Sequence, residues 1–246
     1  MNIQRALEAL RAGNFVLVHD AADREDETDL VMAAEKVQPH HVARLRQDAG
    51  GLICVALHPH VADNLGLPYM TEVYESAASS YEVLEATRPD DIPYDERSAF
   101  SISVNHRRTY TGVTDTDRAL TISELGKLGA RAFDGSAIEE FGHNFRSPGH
   151  VPLLRAARGM LAERQGHTEL VVALAEMVGL APVAAICEVL DAESCCALSR
   201  EGAKKYASKD GLVYLEASDI VRAYGDREVL GGTGVFHGTG EFHPSR

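Results

Sequence analysis

Several things are scarce or missing in this chain of 246 residues. No Cys-x-x-Cys pair occurs among its four cysteines, Cys54, Cys187, Cys195 and Cys196, which argues against a zinc knuckle. Cys54 and Cys187 lie in apolar strand-like runs, where cysteine often serves as a small hydrophobe, and the pattern suits a reducing cytoplasm. No run approaches the roughly 18 apolar residues of a membrane span. The N-terminus leads into an amphipathic pattern and not a signal-type apolar core, so the expectation is a cytoplasmic protein with no membrane partner. Basic residues are also short: 24 Lys and Arg stand against 37 Asp and Glu, a formal net charge of -13. Duplex nucleic acid is therefore a poor partner, since phosphate backbones need a basic surface. A local basic pocket for one phosphate is still compatible with that total. No internal repeat is evident.

What is present is a run of strand and helix patterns. Residues 3–11 place Ile3, Ala6, Leu7 and Leu10 on one helical face, with Gly13 as the stop. Strands are predicted over 15–18, 30–34, 52–57, 99–104, 182–189 and 212–215, and a strand or turn over 151–157. Helices are predicted over 39–49, from a capping-box match at Thr121-Ile122-Ser123-Glu124 to about 131, over 168–178, 199–209 and 217–224. Alternating strands and helices imply an α/β (α+β layered) domain. The first two strands are joined by a loop and not a helix, so the sheet is expected to be mixed, with helices flanking it. One domain should cover 1–225. Within it, 67–97 is rich in Glu, Asp, Ser, Tyr and Pro and reads as an insertion or long loop. Residues 226–246 read as a Gly-rich flexible tail, with His237 and His243 as weak metal candidates.

Two charged segments about 140 residues apart carry the most chemistry. The first, Asp23-Arg24-Glu25-Asp26-Glu27-Thr28-Asp29, lies between two predicted strands. If locally extended, it turns Glu25, Glu27 and Asp29 to one side and Arg24, Asp26 and Thr28 to the other. Three carboxylates on one face need a cation or a shared proton, unless the run is simply a solvated turn. The second segment is Arg164-Gln165-Gly166-His167-Thr168-Glu169. Thr168 reads as an N-cap, and free N–H groups at a helix start attract anions. Arg164 adds a forked, permanent cation, and His167 offers an imidazole to a metal or simply packs. Three further stretches stand out. Ser147-Pro148-Gly149-His150 reads as a tight turn presenting His150, either for proton transfer or as a structural residue. Thr109 to Arg118, including Thr111, is rich in hydroxyls and suits a sugar or phosphate, or an ordinary capped turn. Glu188 follows an apolar run, where a carboxylate acts as acid or base or is merely exposed.

Taken in order, DREDETDL, GGLICVAL, TGVTDTDRALT, SPGHVPLL, RQGHTEL and CEVL closely resemble the 3,4-dihydroxy-2-butanone 4-phosphate synthase family of riboflavin biosynthesis. The resemblance runs from about Ala6 to Tyr224. It implies a lyase that converts D-ribulose 5-phosphate to 3,4-dihydroxy-2-butanone 4-phosphate and formate. It also implies a homodimer with shared active sites in a distinctive layered α/β fold. Magnesium or manganese would serve, two ions per site with substrate, and no organic cofactor. By motif position, Glu25 and His167 would be the metal ligands. The substrate would meet Arg24, Glu25, Asp29, Thr111, the run Arg164, Gln165, Gly166, His167 and Thr168, and Glu188. His150, Glu188, Asp29, Glu27 and Cys54 would be the catalytic set. Departures exist: Gly50 stands where bacterial members commonly have a serine, and Thr114-Asp115 replaces a more usual Ser-Ala. The 67–97 stretch looks like the archaeal form. With no second domain after Tyr224, a single-function version is expected. The alternatives are another metal-dependent sugar-phosphate isomerase or aldolase, and an α/β binding module, which the acidic balance disfavours.

Overall fold

The computed structural model describes residues 2–229. Its centre is a seven-stranded mixed sheet in the order β4-β5-β3-β6-β2-β1-β9. The strands are β1 (Val16–His19), β2 (Thr28–Ala33), β3 (Cys54–Leu57), β4 (Phe100–His106), β5 (Phe145–Arg155), β6 (Val183–Glu188) and β9 (Val213–Glu216). A separate two-stranded ribbon pairs β7 (Leu190–Asp191) with β8 (Cys196–Ala197). β1 runs parallel to β9 and β3 parallel to β5; the other pairs are antiparallel. The loop between β1 and β2 makes them an antiparallel pair, as the missing helix predicted.

β1, β2 and β3 are buried at every position. Continuous apolar runs are what a sheet covered on both faces requires. One face carries Leu17, Leu30, Met32, Val55 and Leu57 against α6 (Asp115–Ala132), α2 (Pro39–Arg44) and α3 (Pro59–Asn64). The other carries Val16, Val31, Ala56, Ile186 and Leu215 against α1 (Asn2–Arg11), α8 (His167–Val178) and α10 (Ala217–Val229). In α8 every residue from His167 to Ala175 is buried, and Leu170 and Leu174 are fully so. Each such leucine contributes roughly 1.5–3 kcal/mol. That anchorage fixes the first turn of α8, and His167 with it, over one end of the sheet.

Several expectations need correction. The 67–97 stretch is no structureless loop: it holds α4 (Met70–Ala77) and α5 (Glu82–Ala86). Neither helix buries a residue, so neither needs an apolar stripe, and the periodic signal is missing. The same reason hides α7 (Ile138–Asn144). α6 begins at Asp115, with Thr114 Oγ1 accepting from Asp117 N at 3.1 Å. The Thr121 capping box is spurious: Thr121 is buried inside the helix, donating to Asp117 O and accepting from His106 N. Pro148-Gly149 makes no tight turn; both lie within β5, where Gly149 packs on the backbone of Val104 and Asn105. The segment predicted as one helix over 39–49 is helical throughout but widens from α2 into a π turn over Leu45–Ala49, stopped by Gly50 at φ +87°. α10 continues past the predicted tail boundary to Val229. His237 and His243 lie outside the described residues. α9 (Arg200–Asp210) starts where expected, capped by Ser199.

Candidate functional site

Sheet register builds the site. Asp29 of β2 pairs with Glu188 of β6, and Cys54 of β3 pairs with Ile186. Side chains alternate along a strand, so Asp29 shares a face with Val31, Glu188 with Ile186, and Cys54 with Ala56. All three partners pack on the α8 side. Asp29, Glu188 and Cys54 are thereby gathered at one sheet end, beneath the first turn of α8. That turn is capped by Gly166, and Thr168, read from sequence as the cap, is a buried residue one position inside the helix.

The β1–β2 loop brings the rest. Asp20, 1% exposed, accepts hydrogen bonds from Glu25 N (3.1 Å) and Glu27 N (3.0 Å). The chain turns at this point, with Asp26 at φ +53°. Asp26 faces away from α8, 3.2 Å from Arg200 Nη2 and 3.1 Å from His19 Nε2, and Thr28 Oγ1 meets His19 Nδ1 at 2.8 Å. Arg24 departs from the extended-chain expectation. The turn carries its guanidinium to a cavity wall shared with Asp95, to which it donates.

Glu25 Oε2 lies 3.1 Å from His167 Nδ1, and Asp29 Oδ1 lies 3.7 Å from His167 Nε2. Asp20, Glu25 and His167 bring one ligand atom each within 4.8 Å of one another. Burial pushes the Asp29 carboxyl up to about 7, and neighbouring Glu188 and Glu25 add to it against the pull of His167. For His167 burial acts downward, but the charges of Asp29 and Asp20 and the hydrogen bond to Glu25 outweigh it and push the imidazole up to about 10. Glu25 is held below the usual range, first by its hydrogen bond to His167. Glu27 is raised by burial and by Glu25 and Glu188. Burial, reinforced by Glu188 and Asp29, raises the Cys54 thiol, which stays protonated.

A divalent ion fits this donor set. His167 Nε2 and Asp29 Oδ1 are buried with no hydrogen-bond partner among the described residues. Such orphans are costly, and a cation is the group that would satisfy the carboxylates around them. Glu25, His167 and Asp20 are the candidate ligands.

Beside them is a cavity of about 130 Å³ whose walls include Glu25, Asp29, Cys54, His167, Thr168 and Glu188. A larger cavity of about 740 Å³ adjoins it, with Arg24, Arg164 and Gln165 among its walls. Arg164 is pinned by Glu169, which is fully buried on α8 and also accepts from Ala157 N. Glu188 Oε2 accepts from Leu52 N at 2.7 Å. Gly51 permits that approach, since a Cβ there would lie 2.4 Å from the same oxygen.

His150 and Thr111 are placed differently. His150 is exposed on β5 and its backbone N donates to Asn105 Oδ1 at 2.8 Å. Asn105 Nδ2 donates to Thr111 O at 3.4 Å. Gly112, at φ +91°, lies so close to Asn105 that any Cβ would overlap it. Neither His150 nor Thr111 is among the described residues lining the two cavities. Sequence reasoning gave no role to Asp20, Asp95, Asn105 or Glu169. Asp20 left a signal as an acid ending the first strand, and Glu169 as the last residue of the Arg164 segment.

Fold and site together define a class: an α/β enzyme that gathers carboxylates, an imidazole and guanidinium groups at one end of a mixed sheet. The family model for 3,4-dihydroxy-2-butanone 4-phosphate synthase matches residues 4–223. A protein of that description from Methanothermobacter thermautotrophicus is 52% identical over 90% of this chain and 95% of its own length. One from Archaeoglobus fulgidus is 49% identical over 91% and 94%. A crystal structure of a 3,4-dihydroxy-2-butanone 4-phosphate synthase in complex with two magnesium ions superposes with a TM-score of 0.75 at 30% identity, covering 92% of this chain and 97% of that one. The chain belongs to the 3,4-dihydroxy-2-butanone 4-phosphate synthase family, enzymes of riboflavin biosynthesis.

Proposed function

We propose that this enzyme converts D-ribulose 5-phosphate to 3,4-dihydroxy-2-butanone 4-phosphate and formate, with magnesium or manganese and no organic cofactor. The observation that carries the reading is the approach of Glu25 to His167 across 142 residues of sequence, beside two guanidinium groups. Arg24 and Arg164 hold the phosphate, with the first turn of α8 adding its free N–H groups. Glu25 and His167 would hold the metal, and Asp20, the third candidate ligand, braces the loop that carries Glu25 through two backbone hydrogen bonds. A divalent cation here would stabilise enediolate character on neighbouring sugar oxygens.

The reaction removes a proton at C3, passes through an enediol, loses water from C1, shifts the carbon skeleton and releases C4 as formate. Asp29 suits the early proton transfers, because a carboxyl raised to about 7 both takes and returns a proton near neutrality. Glu27 extends the same acid face. Glu188, held by Leu52 N, moves a proton during the rearrangement. Cys54 stays a thiol and orients its neighbours. His150 and Thr111 reach the substrate from the second subunit of a homodimer, which fits their distance from the cavities and the exposed Tyr110 (94%) beside them. The setting is the cytoplasm. The test is formate release from ribulose 5-phosphate with and without magnesium. An isomerase or aldolase using the same pocket would release none.

A further inference from the structure

Arg24 and Arg164 already share an anion, and it belongs to the protein. Asp95 lies in the segment 87–99 between α5 and β4, which has turns and bends but no regular element. Its Oδ2 accepts from Arg24 Nη2 at 3.0 Å and from Arg164 Nε at 2.6 Å. The Tyr94 carbonyl accepts from Arg24 Nη1 at 3.3 Å. The Asp95 side chain is 11% exposed. Burial acts against its charge, but the hydrogen bonds and charges of Arg24 and Arg164 outweigh burial and hold its carboxyl below the usual range.

The two carboxylates on Arg164 differ in kind. Glu169 is fully buried on α8 and tied to a backbone N–H as well, so it is part of the frame. Asp95 rests on a segment without regular hydrogen bonding: its Oδ2 is shared between the two cations, and its Oδ1 accepts from Glu96 N, its own chain neighbour, at 2.9 Å, which ties it to no other element. Arg24 Nε, nearby, is buried and has no hydrogen-bond partner among the described residues; Asp20 Oδ2 is 3.8 Å away. A phosphate dianion offers three oxygens and more charge to the same donors. The exchange of carboxylate for phosphate is therefore downhill in hydrogen bonds, whereas a neutral sugar offers nothing to replace Asp95.

We propose that Asp95 is a specificity-determining residue, a resident anion that occupies the Arg24–Arg164 pair until a phosphate ester displaces it. The proposal rests on the reading that these arginines hold the substrate's phosphate. Displacement moves Tyr94 and Arg97 as well, since they sit on the same segment and line both cavities. Phosphorylated substrates open the site and unphosphorylated ones do not. The cost is a weaker apparent affinity, reduced by the fraction of molecules in which Asp95 has let go.

Calorimetric titration with inorganic phosphate tests this on the full chain. Asp95→Asn keeps the shape and removes the charge; Asp95→Ala removes the competing oxygen as well. Both are expected to bind inorganic phosphate about tenfold more tightly than the parent enzyme. Equal or weaker binding in both variants overturns the proposal, because Asp95 would then brace the arginines and not compete for them. Arg164→Gln and Arg24→Gln separate this from the underlying reading. If they abolish phosphate binding while the Asp95 variants fail to tighten it, only the role of Asp95 falls. If they bind phosphate as the parent does, the arginines are not the phosphate site, and both readings fall together.

Discussion

The metal-ready pocket and the patch around His150 are built on opposite principles. The pocket crowds Asp20, Glu25, Glu27, Asp29 and Glu188 around a buried imidazole, under α8 and behind the 87–99 segment. The His150 patch is open and charge-balanced: an amide, Asn105, holds His150 and the Thr111 loop, Arg146 and Asp117 brace that loop with one charge of each sign, and Tyr110 and Val113 are exposed beside them. A buried charged cluster is costly unless a cation joins it, so the first region is unfinished without an ion. Exposed aromatic and branched side chains beside a polar site are typical of surfaces that meet another protein, so the second suits completion by the partner subunit proposed above. The same reaction would need both completions.

The sharpest way to break this contrast is to remove the ligands. Glu25→Gln and His167→Ala should abolish metal-dependent formate release, a loss of at least about 10³-fold, with the secondary structure retained by circular dichroism. Normal turnover in either variant would rule out the pairing. Next in size is Glu188→Gln, expected to lower turnover by roughly 10²–10⁴-fold while phosphate binding is retained. Cys54→Ser should cost less than about tenfold, since a protonated thiol orients and does not transfer. Loss of substrate binding in Glu188→Gln, measured by calorimetry, would withdraw its proton-transfer role.

The division between two subunits has its own test. His150→Ala and Glu25→Gln chains, each inactive, are mixed and allowed to exchange. Half the dimers are then mixed, each with one intact site, so activity should recover to about a quarter of the parent's. Verified mixed dimers without activity would place both regions in one chain's site.

The smallest effect is on stability, and its sign follows from the raised acid and imidazole. Folded Asp29 keeps its proton up to about 7 against an ordinary 3.8, and folded His167 up to about 10 against 6.5. Both groups are raised, so each adds stability below its ordinary value and loses it as pH rises through its folded value. His58, His19, His41 and His106 are shifted the opposite way by burial and add stability up to their ordinary 6.5, so the net loss of thermal stability in the metal-free protein is expected between about pH 6.5 and 10, where His167 dominates. Metal binding must displace the His167 proton, so added magnesium should raise the melting temperature more at pH 9 than at pH 6. A metal-free stability that rises with pH over this range would contradict the buried proton on His167.

The legibility of the chain followed burial. β1, β2, β3 and β6 and the helices α1, α8 and α9 showed in the sequence because each must bury an apolar face or run. α4, α5 and α7 bury nothing and left no periodic trace. The Thr121 capping box misled because a local pattern of four residues matches by chance inside a longer helix, and burial in the α6 core decided against it. In the site, residues bearing chemistry on short motifs were visible: Glu25, Asp29, His167 and Glu188. Asp95 and Asn105 were not, because each acts through a partner distant in sequence, and Glu169, though its partner Arg164 is five residues away, takes its meaning from burial in α8.

By itself the sequence determined the sheet's mixed character, the acidic balance and the residue types available for binding a cation and a phosphate. These depend on local periodicity and on side-chain chemistry, which need no knowledge of the fold. Only the tertiary structure decided which of them meet. Antiparallel register set Asp29 beside Glu188, the packing of α8 brought His167 to Glu25, and the turn at Asp20 carried Arg24 round to Asp95. Proximity across a sheet is a property of register and layer packing, and no run of neighbouring residues encodes it.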